Sequence, residues 1–346
     1  MSTLQKQMRE SALSLCKNLV LEKHAIGAFL FGSVVTGNIH EKSDVDLAII
    51  YDEAATDLGW GKDIRKINDV RVEVWRYSAR HFISAFEDEK LRNKPNTWMW
   101  ASLWVELMQT NEILADPTGR LAEWRRKARR WKWREKSEIN PVWNQAEENL
   151  QFSEKCLVTR DLFPSLLSLR ESVTCLAAAH LMKHNLIPSF RPKDLCAKIL
   201  LIQTKENTLW NLFNLVNETA TINFTHIEGL LASLHSLIDV EWGKEHRGPR
   251  SELENAYGCS RKQDLAGAIL SARYAAYWLG FHILKKRDIK LKPRICIAEN
   301  HVEMVRKMGL VMPAFCRLYQ KLHFVKQWNM QRLEDAQNQT RAILPS

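Results

Sequence analysis

The sequence predicts an α+β chain of two domains, and three observations carry that expectation. Every strand-like run lies early, an apolar one at residues 25–31 and alternating ones at 44–50 and 70–75, with a short candidate at 113–114. Beyond Asn140-Pro141 the apolar residues recur at helical spacing to the end of the chain. A length of 346 residues also exceeds what one hydrophobic core usually carries. The boundary is placed at Lys136-Ser137, giving domains 1–136 and 137–346, because Asn140 before Pro141 resists helix.

Taken in order, residues 3–23 read as an amphipathic helix, with Leu4, Met8, Leu15 and Leu19 on one stripe. Residues 25–31 are the first strand, and Thr36-Gly37-Asn38 with residues 40–43 form a loop. Asn68-Asp69 is a turn before the strand Val70-Arg71-Val72-Glu73-Val74-Trp75. Residues 79–90 read as a helix with an acidic end at Glu87, Asp88 and Glu89, and 98–107 as another. Asp116-Pro117 reads as the N-cap and first residue of a helix bearing Leu121, Trp124, Ala128 and Trp131. The second domain reads as helices at 142–158, 163–185, 193–203, 206–218, 225–243, 262–286, 300–308 and 312–342. Pro188, Pro192, Gly243, Gly248-Pro249 and Pro293 mark its loops, and no fixed period suggests a solenoid.

Composition is that of an ordinary globular protein, 45% hydrophobic and 26% charged. No apolar stretch approaches a membrane span and no signal pattern precedes the first helix, so a cytoplasmic location is expected. Seven scattered cysteines, an odd number, argue for reduced thiols rather than a disulfide framework. His180 and His184 stand one helical turn apart, but no Cys or carboxylate follows at ligand spacing, so a structural or solvent-facing role is expected.

The formal charge of +10 is local: residues 120–136 hold nine Lys or Arg against two Glu. A solvated helix face is the first reading of this run. Attraction of a nucleoside triphosphate is the second. Binding of RNA or DNA, with Trp131 and Trp133 stacking on bases, is the third.

The chemistry concentrates between residues 29 and 75. Phe29-Leu30-Phe31 ends in Gly32-Ser33, and ten residues later Asp44-Val45-Asp46 opens a second strand. Successive strand residues face opposite ways, so Asp44 and Asp46 share one face while Val45, Leu47 and Ile49 share the other. Two carboxylates on one edge suit Mg²⁺, which is usually held by one or two carboxylates together with nucleotide phosphates. Glu73, opposite in facing to Val70, Val72 and Val74, offers a third. Gly32 lets backbone approach a phosphate closely, and the Ser33 hydroxyl can donate to a phosphate oxygen.

Gly32-Ser33, Asp44-Val45-Asp46 and the later Glu73 resemble the DNA polymerase β-like nucleotidyltransferases, nearest to the kanamycin nucleotidyltransferase branch, with streptomycin/spectinomycin adenylyltransferases as further relatives. The likeness is specific over residues 25–77. It implies a small mixed sheet with flanking helices, then an all-α acceptor-binding domain. It also implies ATP or another nucleoside triphosphate with Mg²⁺, bound at Asp44, Asp46, Glu73, Gly32 and Ser33. A nucleotidyl group would pass to a hydroxyl of a small molecule, aminoglycoside-like in these relatives and supported here by the acidic residues near Glu87 and Glu147. A homodimer is implied only by analogy.

The resemblance also implies a general base on the first helix of the second domain. Glu147-Glu148 align with the relatives' glutamate pair, but Gln151 stands where their base does, and Gln cannot take a proton. Glu148 is the first choice of base, with Glu147, Glu154 and Glu73 as alternatives. Glu171, Arg170 and Lys193 offer further charges, the cations as phosphate contacts. A nucleic-acid-directed enzyme or binder and a non-catalytic regulatory protein of the same fold are the competing readings.

Overall fold

The computed structural model describes every residue except 1, 38, 40–42, 56–61, 95, 220–221, 243–247, 292–295 and 346. Part of the loop expected at residues 36–43, and the loop markers Gly243 and Pro293, lie outside the described residues. The chain divides into two compact units, Met1–Lys132 and Trp133–Ser346.

The first unit begins with helix α1 (Thr3–Leu19), whose N-cap Ser2 accepts from the Gln5 amide. Strand β1 (Ala25–Phe31), the short helix α2 (Ser33–Thr36), and strands β2 (Val45–Tyr51), β3 (Lys62–Ile67) and β4 (Val70–Ser78) follow. Then come helices α3 (Ala79–Phe86) and α4 (Thr97–Gln109), strand β5 (Glu112–Ala115) and helix α5 (Arg120–Arg129). The sheet runs β3-β4-β2-β1-β5, and only β2 and β4 are parallel, so the expected mixed sheet is present.

Period-two alternation decides its two faces. Ala28, Leu30, Val45, Leu47, Ile49, Tyr51, Val70, Val72 and Val74 pack against Met8, Ala12, Leu15, Cys16 and Leu19 of α1. On the opposite face Phe29 meets Phe82 edge-on at 6.4 Å, and Phe82 stacks on Trp124 at 5.3 Å, fastening α3 and α5 to the sheet. Gly27 is required by this packing, since a Cβ there would lie 2.8 Å from the Ala115 carbonyl and 2.9 Å from Leu121.

Three local expectations need correction. Strand β3 is absent from the sequence reading because Lys62-Asp63-Ile64-Arg65-Lys66-Ile67 is mostly charged, as edge strands tend to be. The helix expected over 79–90 stops at Phe86, and Glu89, at φ +55°, precedes a separate 3₁₀ turn over Lys90–Asn93. Asp116-Pro117 does not begin a helix. Helix α5 starts at Arg120, and the Asp116 carboxylate caps it from outside by accepting from the amides of Leu121 (3.2 Å) and Ala122 (2.8 Å).

The second unit is helical throughout its described residues. A π-helical turn over Glu135–Ile139 runs directly into α6 (Asn140–Val158), so Asn140 is helical and Pro141 occupies the first turn, where its missing N–H costs nothing. Helices α7 (Leu162–Lys183), α8 (Pro192–Leu200), α9 (Asn207–Asn217), α10 (Phe224–Trp242), α11 (Gly248–Arg261) and α12 (Leu265–Lys286) follow. The unit ends with α13 (Ala298–Val311), α14 (Pro313–Leu322) and α15 (Met330–Ile343). Helices α7 and α12 are buried on almost every side, as apolar residues around the whole circumference demand. Helix α11 was read as loop because of Gly248-Pro249, yet Pro249 again sits in a first turn. The helix expected over 312–342 is broken at Phe324, which has φ +50°.

No helix among the described residues is long and apolar enough to cross a membrane. The seven cysteines are free thiols. His180 Nδ1 and His184 Nε2 both face one oxygen of Glu206, at 3.0 and 2.9 Å, a carboxylate partner that sequence spacing did not reveal.

Candidate active site

The site is built at one end of the face of β2 and β4 turned away from α1. Their parallel register sets Asp46 beside Glu73, flanked by the pairs Val45 with Val72 and Leu47 with Val74, whose side chains point into the core under α1. Asp44 lies immediately before β2 and is half-buried. Glu73 is only 3% exposed, so its charge needs partners. The Arg71 guanidinium donates to its Oε1 at 2.7 Å.

Asp44 and Glu73 are close enough to repel when both are charged, and a protonated Asp44 can donate to the Glu73 carboxylate. Burial first, then the Glu73 carboxylate, pushes the Asp44 carboxyl above its ordinary range, while Arg71 pulls weakly the other way. Two carboxyl groups in such contact hold a proton between them or need a cation.

Asp46 is positioned by two neighbours. Its Oδ1 accepts from the Trp75 indole at 3.0 Å. Its Oδ2 faces Gly32, where a Cβ would lie only 2.4 Å away. Gly32 has φ +73°, a conformation that side chains strain to adopt. The turn that leaves β1 is therefore glycine for a double reason, conformation and space. Ser33 follows at the start of α2, half-buried, and its hydroxyl makes no hydrogen bond among the described residues.

The structure thus brings Gly32, Ser33, Asp44, Asp46 and Glu73 to one end of the central strands. Arg71 and Trp75, which hold Glu73 and Asp46, were missed by the sequence reading. The signal was available: they lie two residues to either side of Glu73 on one strand, hence on the same face.

Oxygen donors alone, Asp44, Asp46 and Glu73, fit a hard divalent cation. Among the described residues no three His, Cys, Asp or Glu side chains converge closely enough to hold an ion by themselves. Asp46 is turned to Trp75 and Glu73 to Arg71. The donor set therefore matches a cation that takes one or two protein carboxylates and completes its shell with water and phosphate oxygens.

The other residues singled out from sequence belong to the second unit. On α6, Glu147 accepts from the Gln151 amide at 3.2 Å, and Glu154 is held by Arg341 at 2.7 and 2.8 Å. Glu171 is bonded to His301 Nδ1 at 2.8 Å. Glu148 is exposed and has no partner among the described residues.

Arg170 is not available to phosphate. It is buried and donates to the carbonyls of Val216 (2.7 Å) and His323 (3.1 Å). Lys193 lies 4.0 Å from Asp194. Glu87 does not offer an acidic surface to an acceptor either. It takes two hydrogen bonds from Arg120, at 3.0 and 3.1 Å, and one from the Trp124 indole at 2.8 Å, while Asp88 pairs with Lys90. The base-stacking expectation fails as well, because Trp131 and Trp133 are only 7% and 8% exposed. Trp131 packs edge-on against Phe86 under the Arg92 guanidinium, and the Trp133 indole donates to the Leu186 carbonyl.

The family model described as "Polymerase beta, Nucleotidyltransferase" matches residues 15–82. The match takes in β1 to β4 with Gly32, Ser33, Asp44, Asp46 and Glu73, so this stretch of the first unit is similar to a polymerase β-like nucleotidyltransferase domain, while β5 lies beyond it. A crystal structure of a nucleotidyltransferase-like protein from Exiguobacterium sibiricum 255-15 aligns over 88% of this chain and 91% of that chain, with 12% identity and a TM-score of 0.42. No curated protein matches the chain.

Proposed function

We propose that this polymerase β-like domain transfers a nucleoside monophosphate, AMP from ATP, to a hydroxyl of a small molecule and releases pyrophosphate. The observation that carries the reading is the register of Asp46 against Glu73, with Asp44 close beside Glu73 and Gly32 leaving space at Asp46.

Asp44 and Asp46 would hold Mg²⁺, with Glu73 completing the carboxylate set. When bound, the ion supplies charge stabilisation on the phosphate oxygens as pyrophosphate departs. Arg71 and Trp75 keep Glu73 and Asp46 in place. Gly32 admits the triphosphate to the backbone and Ser33 donates to a phosphate oxygen. The acceptor oxygen attacks the α-phosphorus, the bond to the bridging oxygen of pyrophosphate breaks, and the acceptor proton passes to a carboxylate. Glu148 is the preferred base, because Glu154 and Glu171 are ion-paired or hydrogen-bonded and Glu147 is bonded to Gln151. Glu73 is the alternative within the sheet, where Arg71 and Asp44 already engage it. The kanamycin-type resemblance points to an aminoglycoside-like polyol as acceptor.

The test is Mg²⁺-dependent pyrophosphate release from each nucleoside triphosphate against a panel of aminoglycosides and other polyols. Asp46→Asn should lower turnover by at least about a hundredfold, since it removes a charge that serves the transition state, with the fold kept. A fully active Asp46→Asn enzyme would overturn the assignment.

A further inference from the structure

Helix α5 sorts its cations into two classes. Arg120 is spent on Glu87, and Lys127 lies 3.0 Å from Glu123 and donates to the Phe86 carbonyl. The side chains of Arg125, Arg126, Arg129 and Arg130 have no hydrogen bond, ion pair or ring contact among the described residues. Arg126, Arg129 and Arg130 are exposed and Arg125 is half-buried.

Their spacing matters. Positions 125 and 129 are four apart on the helix, and Arg130, its C-cap, follows Arg126 at the same spacing, so the four residues fall in two neighbouring rows along one side of the helix end. Like charges four apart destabilise a helix. Placement at the helix C-terminus offsets part of that cost. A polyanion across both rows would remove the rest.

We infer that this face of α5 binds the sugar-phosphate backbone of a nucleic acid. Guanidinium forks match phosphate oxygens in pairs, and four unpaired ones in two rows can take successive phosphates of a strand. A bilayer fits less well. The apolar stripe of α5, Leu121, Trp124 and Ala128, is buried in its own unit and leaves nothing to insert. With Trp131 and Trp133 buried, no aromatic platform reads bases from this segment, so recognition is electrostatic and indifferent to sequence.

The experiment is fluorescence anisotropy of the full chain with a labelled single-stranded RNA and with a labelled DNA duplex, across a salt series. The expected slope of log K against log salt is about −3 for the single strand and nearer −4 for the duplex, as four phosphate contacts require. Changing Arg125, Arg126, Arg129 and Arg130 together to Gln should weaken binding by about two orders of magnitude near 0.1 M salt. The corresponding Arg→Lys variant should keep the slope. A control that removes equal charge elsewhere, Lys17, Lys23, Arg261 and Lys262 to Gln, should bind much as the unchanged protein does.

Circular dichroism of each variant separates lost binding from lost fold. The inference is overturned by absence of binding at low salt, by a slope that survives the Gln changes, or by loss of the slope in a folded Lys variant. It is also overturned if vesicles of anionic phospholipid bind as tightly through the same four residues. The readout is binding, so it stands apart from whether the sheet turns over a nucleotide.

Discussion

Both units bury charge, but they do so in opposite ways. At one end of the central strands, Asp44 and Glu73 carry the same sign and lie close together, and burial makes the contact worse. In the helical core, Arg170 and Arg273 are buried, yet each is tied to two backbone carbonyls: Arg170 to Val216 and His323, Arg273 to Leu322 and Asn217. Burial opposes both guanidinium charges, pulling Arg273 down to about 9, and Arg273 also repels Arg170, while the Glu218 carboxylate favours both. His301 is similarly provided for, between Glu171 at 2.8 Å and the Tyr319 hydroxyl at 2.6 Å. The helical core spends its charges on holding helices together. At the sheet, Asp44 and Glu73 stay side by side with Arg71 offsetting only part of their repulsion, an arrangement that costs stability.

The largest effect that would sharpen this contrast is expected in the helical unit. Arg170→Met should destabilise the protein by about 3–5 kcal/mol, because it strands buried carbonyls and removes a partner of His323. Urea denaturation would measure it, and a change below about 1 kcal/mol would mean the network is not structural. Gly32→Ala comes next. The new Cβ meets Asp46 Oδ2 at 2.4 Å on a backbone with φ +73°, so a loss of about 1–3 kcal/mol is expected, together with displaced Asp46 and impaired triphosphate binding.

The smallest effect, of opposite sign, is expected at Asp44. Its raised pKa means that the folded state holds a proton more tightly than the unfolded chain does. Stability from this group is therefore present below the unfolded carboxyl range, near 4, and falls as pH rises through the higher folded value. Asp44→Asn should flatten that fall and raise the thermal midpoint at neutral pH in metal-free buffer while lowering transfer. Thermal melts across pH would test it. A lower midpoint would break the comparison, since Asp44 would then be supporting the fold as Arg170 does.

Elements with a strong period were legible. Strand β1 was legible as an apolar run and the segments around Asp44 and Glu73 as alternating strands, so the shared face of Asp44 and Asp46 follows from alternation, while the pairing of Asp46 with Glu73 follows from the parallel register. Helices α6 and α7 carry long apolar stripes and were expected within a few residues. Strand β3 was not legible because an edge strand has little apolar face to announce it. Helix α11 was hidden by Pro249, whose meaning depends on whether it falls in a first turn or an interior.

By itself the sequence determined which residues share a strand face and which helices carry an apolar stripe, because both follow from the local periodicities of 2 and 3.6 residues. It also determined where charge collects, in residues 120–136. Only the tertiary structure decided which of those charges are spent. It gave Glu87 to Arg120, Glu154 to Arg341, Arg170 to carbonyls and the indole of Trp133 to Leu186. It left the side chains of Glu148, of three arginines of α5 and of its C-cap Arg130 without partners among the described residues. Partnership depends on distance between segments far apart in the chain, and no local period encodes it.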